Sequence, residues 1–427
     1  MSSTALLTDR YELTMLGAAL RDGTAQRRCT FEVFARRLPD GRRYGVVAGT
    51  QRVLDAIDAF RFDATALAEL RASGVIDDEC AAYLANYRFT GDVDGYPEGD
   101  LFFPYSPILT VTGTFAESIV LETVVLSVLN HDCAVAAAAA RMVTAASGRP
   151  IIEMGSRRTH EQSAVAAARA AYLAGFASTS NLAAGQQYGV PTAGTASHAF
   201  MLMHDDERSA FAAQVAAQGP STTLLVDTYD ISRGIELAIE VAGPTLGAIR
   251  IDSGDLGVMA RYAREQLDAL GARDTRIVVS GELDEFAIAA LAAAPVDAYG
   301  AGTAVVTGSG SPTANLVYKV VEVDGRPVAK RSEDKATRGG RKTAIRAHKP
   351  TGTAVEELLA AGTPPPLRDG DRLVQRALIR AGARVDGLPS LHESRSHLRE
   401  ATVSLPWDGL KLSHGEPAIA TRVVGAD

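Results

Sequence analysis

Between residues 149 and 307 the chain repeats one theme: a short apolar strand, a polar or glycine-rich loop, then a helix. This rhythm restricts the fold more than any other feature of the sequence. The clearest strands fall at 151–153, 223–226, 248–251, 277–279 and 298–299, with weaker ones at 175–178 and 190–192. Helices are expected between them, at 161–174, 232–241, 256–270 and 284–293. A helix that carries the chain back from the end of one strand to the start of the next leaves the two strands parallel. About seven such units predict a β/α barrel rather than an open doubly wound sheet. A barrel absorbs roughly 200 to 250 residues. A chain of 427 residues therefore needs a second body, formed by the segments on either side.

In parallel strands every strand-to-helix loop lies at the same rim. Those loops carry Arg157 and Arg158, His198, Asp227, Asp252 with Ser253 and Asp255, Gly281 with Glu282, and Gly300 with Gly302 and Thr303. The carboxyl-end rim is where barrels place their chemistry, although loops are polar in any protein. The glycines of Val279-Ser280-Gly281-Glu282 and of Tyr299-Gly300-Ala301-Gly302-Thr303 let backbone N–H groups approach an anion beside a helix N-terminus. A glycine at a tight strand-helix turn also has a purely steric use. Asp252 and Asp255 fit sugar hydroxyls, a hydrated divalent ion, or simple capping of the helix from 256. His198, in Gly194-Thr195-Ala196-Ser197-His198-Ala199-Phe200, taken alone reads as an ordinary hydrogen-bonded histidine. Its place on this rim changes that reading.

Ahead of the barrel, Asp9 and Glu12 predict a capping box for a helix with Leu13, Leu16 and Leu20 on its apolar face. Residues 29–36 alternate in the manner of a half-buried strand and end in the basic loop 36–43. Short helices are expected at 64–73 and 77–87, a strand at 108–112 and a nearly all-apolar helix at 116–130. After the barrel, 316–323 and 326–330 flank Asp324-Gly325 as a hairpin with a type I′ turn. The positive charge of 330–349 reads either as a solvated face or as an anion clamp. Residues 362–366 form a stiff connector, and Ser390 with Glu393 caps a helix over 388–404.

A net charge of −8 excludes nucleic-acid binding through general basicity. Three scattered cysteines, Cys29, Cys80 and Cys133, support neither a disulfide framework nor a paired-cysteine zinc site. The first ten residues do not read as a signal peptide, and apolar runs such as 134–140 stop short of a membrane span. The expectation is a cytoplasmic protein with no membrane partner.

Thr8-Asp9-Arg10-Tyr11-Glu12-Leu13-Thr14-Met15, Glu153-Met154-Gly155-Ser156-Arg157-Arg158, Gly194 to Phe200, Asp227-Thr228-Tyr229-Asp230, Arg250-Ile251-Asp252-Ser253-Gly254-Asp255 and Gly300-Ala301-Gly302-Thr303 occur in that order. Together they resemble nicotinate phosphoribosyltransferase, a type II phosphoribosyltransferase. The resemblance implies an irregular β/α barrel with a smaller mixed α/β domain formed by the N-terminal and C-terminal parts. It implies divisions of 1–118, 119–324 and 325–427 and a homodimer with shared active sites. The implied reaction converts nicotinate and phosphoribosyl pyrophosphate into nicotinate mononucleotide and pyrophosphate, with Mg2+, driven by ATP through a phosphohistidine.

By motif, the resemblance makes His198 the phosphorylated residue and Asp227 the carboxylate that holds its imidazole. Arg157 is expected to meet the nicotinate carboxylate, and Tyr11 of the partner subunit to stack on the ring. Met154 stands where relatives often carry Phe, so its thioether is expected against the other face. Asp252 is expected to hold the ribose hydroxyls and Arg250 to lie near pyrophosphate. Gly281, Glu282, Gly300, Gly302 and Thr303 are expected to hold the 5′-phosphate, while Arg36, Lys330 and Lys335 are candidates for ATP or pyrophosphate. Metal ligands are left unassigned. Alternatives are a nicotinamide phosphoribosyltransferase and a non-catalytic nucleotide-binding barrel.

Overall fold

The computed structural model describes residues 3–330 and 338–425. Two compact units emerge, Met1–Ala137 with Ser311–Asp427, and Ala138–Gly310. The expected divisions at 118/119 and 324/325 thus move to 137/138 and 310/311. Both shifts have the same cause. Val124, Val125, Leu129 and Cys133 on one side, and Ala314 and Leu316 on the other, are buried in the core of the mixed unit. That unit consequently takes the larger share of the chain, not the smaller.

In the mixed unit a seven-stranded sheet runs in the order Arg326–Pro327, Leu316–Val323, Arg28–Ala35, Leu109–Thr114, Asp92–Gly95, Arg376–Arg380, Ala383–Arg384. Strand Arg28–Ala35 lies between two antiparallel neighbours. The alternation of its residues predicts one wet face, yet every residue after Arg28 is buried. Its inward Glu32 is fully covered because Lys342 meets it, with Nζ donating to Oε2 at 2.9 Å and the backbone N–H to Oε1 at 2.7 Å. Asp324 and Gly325 both adopt positive φ, 49° and 74°, as the predicted type I′ turn requires.

A second sheet of the same unit runs Arg372–Leu373, Lys342–His348, Ala354–Ala361, Ala420–Val424. It recruits much of the basic segment into structure. The Arg346 side chain is almost fully covered, and it donates to Asp100 at 2.6 Å and to Glu357. Arg341 pairs with Asp94 at 2.7 Å. Neither a solvated face nor an anion clamp describes Lys342 and Arg346, because buried carboxylates complete their charge, whereas Arg341 keeps its side chain exposed. Residues 331–337, Lys335 included, lie outside the described residues.

Helix Arg10–Asp22 forms as predicted, but the capping box does not. The Asp9 side chain accepts from the adjacent Arg10 N–H. Glu12 turns inward instead, accepting from Thr8 Oγ1 and, at 2.9 and 2.5 Å, from the N–H and hydroxyl of Thr123. A capping box does form at Thr114 and Glu117, and another at Ser390 and Glu393, where helix Leu391–Val403 starts. The helix expected at 116–130 is two helices, Phe115–Ile119 and Glu122–Ala146. Contrary to the reading of the apolar runs, the stretch Phe115–Ala146 is long and apolar enough to cross a membrane. Its most apolar 18 residues are 61% buried within the protein, which gives that apolar surface a partner without lipid.

The second unit is the irregular barrel. Its strands are β1 (Ile151–Glu153), β2 (Ser178–Thr179), β3 (Thr223–Leu225), β4 (Ala248–Ile251), β5 (Arg276–Gly281) and β6 (Ala298–Ala301). They pair in the order β2-β1-β6-β5-β4-β3, all parallel. A single bridge between Thr179 and Thr192 extends the β2 edge. The sheet curls into a half-barrel with β2 and β3 as its edges. Helices follow the strands as the periodicity predicts, including Glu161–Leu173, Ile231–Ala242 and Leu256–Ala269. The parallel order puts the loops after β1, β4, β5 and β6 side by side at one rim.

Candidate active site

Because residues alternate between faces along a strand, the last positions of β4 and β5 can send side chains toward one point. Arg250 of β4 donates from Nε to Ser280 Oγ at 2.7 Å and from Nη2 to Asp252 Oδ1 at 2.9 Å. Ser280 in turn donates to Asp252 Oδ1 at 2.5 Å. Burial alone would raise the Asp252 carboxyl, but the Ser280 hydroxyl and the Arg250 guanidinium hold it below the usual carboxylate range. Its Oδ2 remains open toward His198.

Arg250 reaches further round the rim, donating from Nη1 to Thr195 Oγ1 at 3.0 Å. The guanidinium therefore braces the loop that delivers His198. His198 opens the short helix His198–Leu202, and its side chain is 41% exposed. Nδ1 lies 3.1 Å from Thr228 Oγ1. Nε2 faces Asp227 Oδ1 at 3.9 Å and Asp252 Oδ2 at 4.0 Å. The carboxylate of Asp227 is thus at ion-pair range, while the hydrogen bond that orients the ring is made by Thr228. Asp227 is itself fixed from behind, its Oδ2 accepting from Asp252 N–H at 2.8 Å and from Ser253 Oγ at 2.7 Å. Its Oδ1 is buried and has no hydrogen-bond partner among the described residues.

Beside this group lies a cleft lined by Met154, Arg157, Arg158, Arg250, Asp252, Ser280, Gly281, Glu282, Gly300, Gly302 and Thr303. Gly281 ends β5 at φ 133°, a conformation side chains rarely adopt, so its N–H can face the cleft without strain. A Cβ on Gly300 would sit 2.8 Å from Met154 Sδ and 3.0 Å from Ser280 Cβ, so only glycine lets the thioether pack there. Glu282 accepts from Thr303 Oγ1 at 3.4 Å and lies 3.7 Å from Arg158. Arg157 is exposed and has no ion pair or hydrogen bond among the described residues. Three guanidinium groups, two carboxylates and glycine-flanked N–H groups in one cleft suit an anionic ligand that also carries hydroxyls.

Thus His198, Asp227, Asp252, Arg250, Met154, Arg157, Gly281, Glu282, Gly300, Gly302 and Thr303 gather at one rim. Arg158 and Ser253, which the sequence places on this rim without a role, join them, and so do Thr228 and Ser280. For those two, adjacency to a predicted residue is the only signal the sequence offers. Tyr11, Arg36 and Lys330 belong to the mixed unit. Tyr11 is 45% exposed in the first turn of its helix, and its hydroxyl is pushed up to about 12 by burial together with Glu122 and Glu12. Arg36 follows strand Arg28–Ala35 and keeps a buried Nε with no hydrogen-bond partner among the described residues. Lys330 is exposed.

A family model described as the nicotinate phosphoribosyltransferase N-terminal domain matches residues 6–130, and the nicotinate phosphoribosyltransferase family model matches residues 150–354. Nicotinate phosphoribosyltransferase pncB1 of Mycobacterium tuberculosis is 62% identical, covering 99% of this chain and 95% of that protein. The Homo sapiens nicotinate phosphoribosyltransferase is 30% identical over 92% of this chain and 89% of its own length. Among solved structures, human nicotinic acid phosphoribosyltransferase superposes with a TM-score of 0.84 at 27% identity, covering 97% of both chains. A structure described as nicotinate-nucleotide pyrophosphorylase from Pyrococcus furiosus gives 0.79 at 25% identity, covering 94% of this chain and 95% of that one.

Proposed function

Because the chain belongs to the nicotinate phosphoribosyltransferase family, we propose that it joins nicotinate to phosphoribosyl pyrophosphate, releasing pyrophosphate, and that phosphorylation of His198 by ATP drives the reaction. The observation that carries this reading is the rim itself, where a cleft rich in guanidinium groups lies beside an imidazole whose Nε2 faces two carboxylates. In the transfer, the pyridine nitrogen of nicotinate donates its lone pair to C1 of the ribose. The C1–O bond breaks and pyrophosphate leaves with the bonding electrons. The protein's task is to align the partners and stabilise the departing charge.

Arg157 takes the nicotinate carboxylate through a bidentate fork. Met154 offers its thioether to one ring face, and the partner subunit's Tyr11 stacks on the other. Asp252 accepts from the ribose hydroxyls, and Arg250 meets pyrophosphate. Gly281, Glu282, Gly300, Gly302 and Thr303 form the cradle for the 5′-phosphate. Arg36, Lys330 and Lys335 remain the candidates for ATP or pyrophosphate outside the barrel. The chain acts as a homodimer in this reading, for which sedimentation is the check. Three buried free cysteines suit a reducing cytoplasm.

The carboxylates fit Mg2+ as a companion of substrate phosphates. Asp227 Oδ1 is a buried acceptor lacking a donor among the described residues, and Asp252 Oδ2 is open beside it. One or two carboxylates together with phosphate oxygens are the usual Mg2+ environment. When bound, the ion supplies charge neutralisation to the phosphate groups. In the ATP step the imidazole attacks the γ-phosphorus, the bridging P–O bond breaks and ADP departs.

The test is product identification with nicotinate, phosphoribosyl pyrophosphate and Mg2+, with and without ATP, alongside γ-labelled ATP. Nicotinate mononucleotide is expected, together with acid-labile label on wild-type protein that is absent from His198→Ala. Product without label removes the phosphohistidine, and a preference for nicotinamide removes the acid substrate.

A further inference from the structure

Arg157 poses a physical problem that its surroundings do not solve directly. Its guanidinium is exposed, and no described side chain braces it, so its aim depends on the backbone turn that carries it. We propose that Asn181 and Ser156, joined through the buried Glu153 and Thr179, form a latch that positions the Arg157 turn for ring recognition. The inference rests on the nicotinate reading above and assigns positioning residues to that site.

The latch is a closed circuit of hydrogen bonds between the loops after β1 and β2. Glu153, the last residue of β1, is 1% exposed. Its Oε1 accepts the Gly155 N–H, and its Oε2 accepts the Thr179 hydroxyl at 2.5 Å. Thr179, the last residue of β2, is fully buried, and its Oγ1 accepts the Asn181 N–H at 3.0 Å. Asn181 caps helix Leu182–Tyr188, where its Oδ1 accepts the Ala184 N–H at 2.9 Å. That bond fixes the amide's orientation. The opposite end, Nδ2, must then face outward, and it donates to Ser156 Oγ at 3.0 Å, returning the circuit to the residue before Arg157.

Two backbone bonds frame the same region. Ser180 N–H donates to the Glu153 carbonyl at 2.8 Å, and Arg158 N–H closes the turn onto the Gly155 carbonyl at 2.8 Å. The turn is therefore held on both sides of Arg157: before it, Glu153 secures the Gly155 N–H and Asn181 the Ser156 hydroxyl, and after it the Arg158 N–H is tied back to Gly155. Burial pushes the Glu153 carboxyl up, and the Thr179 and Gly155 donors oppose that shift only in part. Neither Ser156 nor Asn181 lines the cleft.

Ser156→Ala removes the acceptor. Asn181→Ser retains a capping oxygen for helix Leu182–Tyr188 but is too short to reach Ser156. Each variant is expected to raise the KM for nicotinate about three- to tenfold, the range set by one lost hydrogen bond. The KM for phosphoribosyl pyrophosphate and kcat should remain within about twofold. The double variant should be no worse than either single one, since both cut the same bond. Amide hydrogen exchange over residues 153–158 reads the latch without turnover and is expected to quicken in both variants. An unchanged nicotinate KM, equal rises for both substrates, or unaltered exchange overturns the latch. Wild-type protein that does not use nicotinate but shows quickened exchange in the variants overturns the substrate reading, and with it the ring-recognition role, while leaving the tethered turn standing.

Discussion

At the residue scale, the hydrogen bond that orients His198 comes from Thr228, next in the chain to the carboxylate that the motif singles out. Thr228→Val keeps the shape and removes the hydroxyl. It is expected to slow the appearance of acid-labile label from γ-labelled ATP roughly three- to tenfold, the equivalent of one neutral hydrogen bond. Undiminished labelling would show that Asp227 suffices. Glu207, the first residue of helix Glu207–Gln218, is 5% exposed and has a buried Oε1 without a partner among the described residues. Burial, then the charges of Asp227 and Asp230, push its carboxyl up to about 7 from 4.5. A carboxyl raised in the folded state favours the protonated protein, so its stabilising contribution is full below the unfolded value and is lost as pH rises through about 7. Glu207→Gln should therefore match wild type in acid and exceed it by on the order of 2 kcal/mol near pH 8. Melting curves at about pH 5 and about pH 8 check this, and parallel curves at both would contradict it.

The element scale is where the sequence was most legible. Apolar runs bounded by glycine and helical repeats located β1, β3, β4, β5 and β6 within a few residues, because a parallel strand buried on both faces leaves a dense local signature. The sharing of one rim by the predicted site residues on the barrel unit follows from parallel connection alone, whereas the order in which the strands pair is set by the fold. What local pattern could not show was set by distant partners. Glu12 abandoned Asp9 because Thr123 offers two donors. The strand Arg28–Ala35 reads as half wet only until Lys342 neutralises Glu32. Thr228 and Ser280 escaped notice since a hydroxyl has no distinctive spacing. The packing of β6 against the loop after β1 gives a direct test. Gly300→Ala inserts a methyl against Met154 Sδ and Ser280 Cβ and is expected to cost about 1–3 kcal/mol. It should also weaken both substrates together, read from their KM values and from the urea midpoint. A loss confined to one substrate would show that Met154 yields without disturbing the phosphate loops.

For the molecule as a whole, the mixed unit is assembled from two separated segments, and charge holds them. Arg346 joins Asp100 in the first segment to Glu357 in the second, all three nearly or fully covered. Arg372 and His397 add to Asp100 at 3.0 and 3.2 Å; burial alone would raise its carboxyl, but the Arg346 guanidinium, the His397 hydrogen bond and Arg372 hold it far below the usual range. Arg346→Ala takes the shared buried guanidinium away from two buried carboxylates, which keep only their other partners, and is expected to lower stability by about 3–5 kcal/mol. Arg346→Met with Asp100→Asn and Glu357→Gln should recover much of that loss. Urea unfolding monitored by fluorescence distinguishes the outcomes, and a single variant as stable as wild type would show that Arg346 does not hold the two segments together. The division of the chain has a further consequence, for the order of synthesis. Strand Arg28–Ala35 leaves the ribosome long before its neighbour Leu316–Val323, and Glu32 long before Lys342. The nascent first segment must wait with an unpaired edge and an uncompensated charge while the barrel, second in sequence, has all its strands available. The unit that is begun second is thus the first that can finish folding.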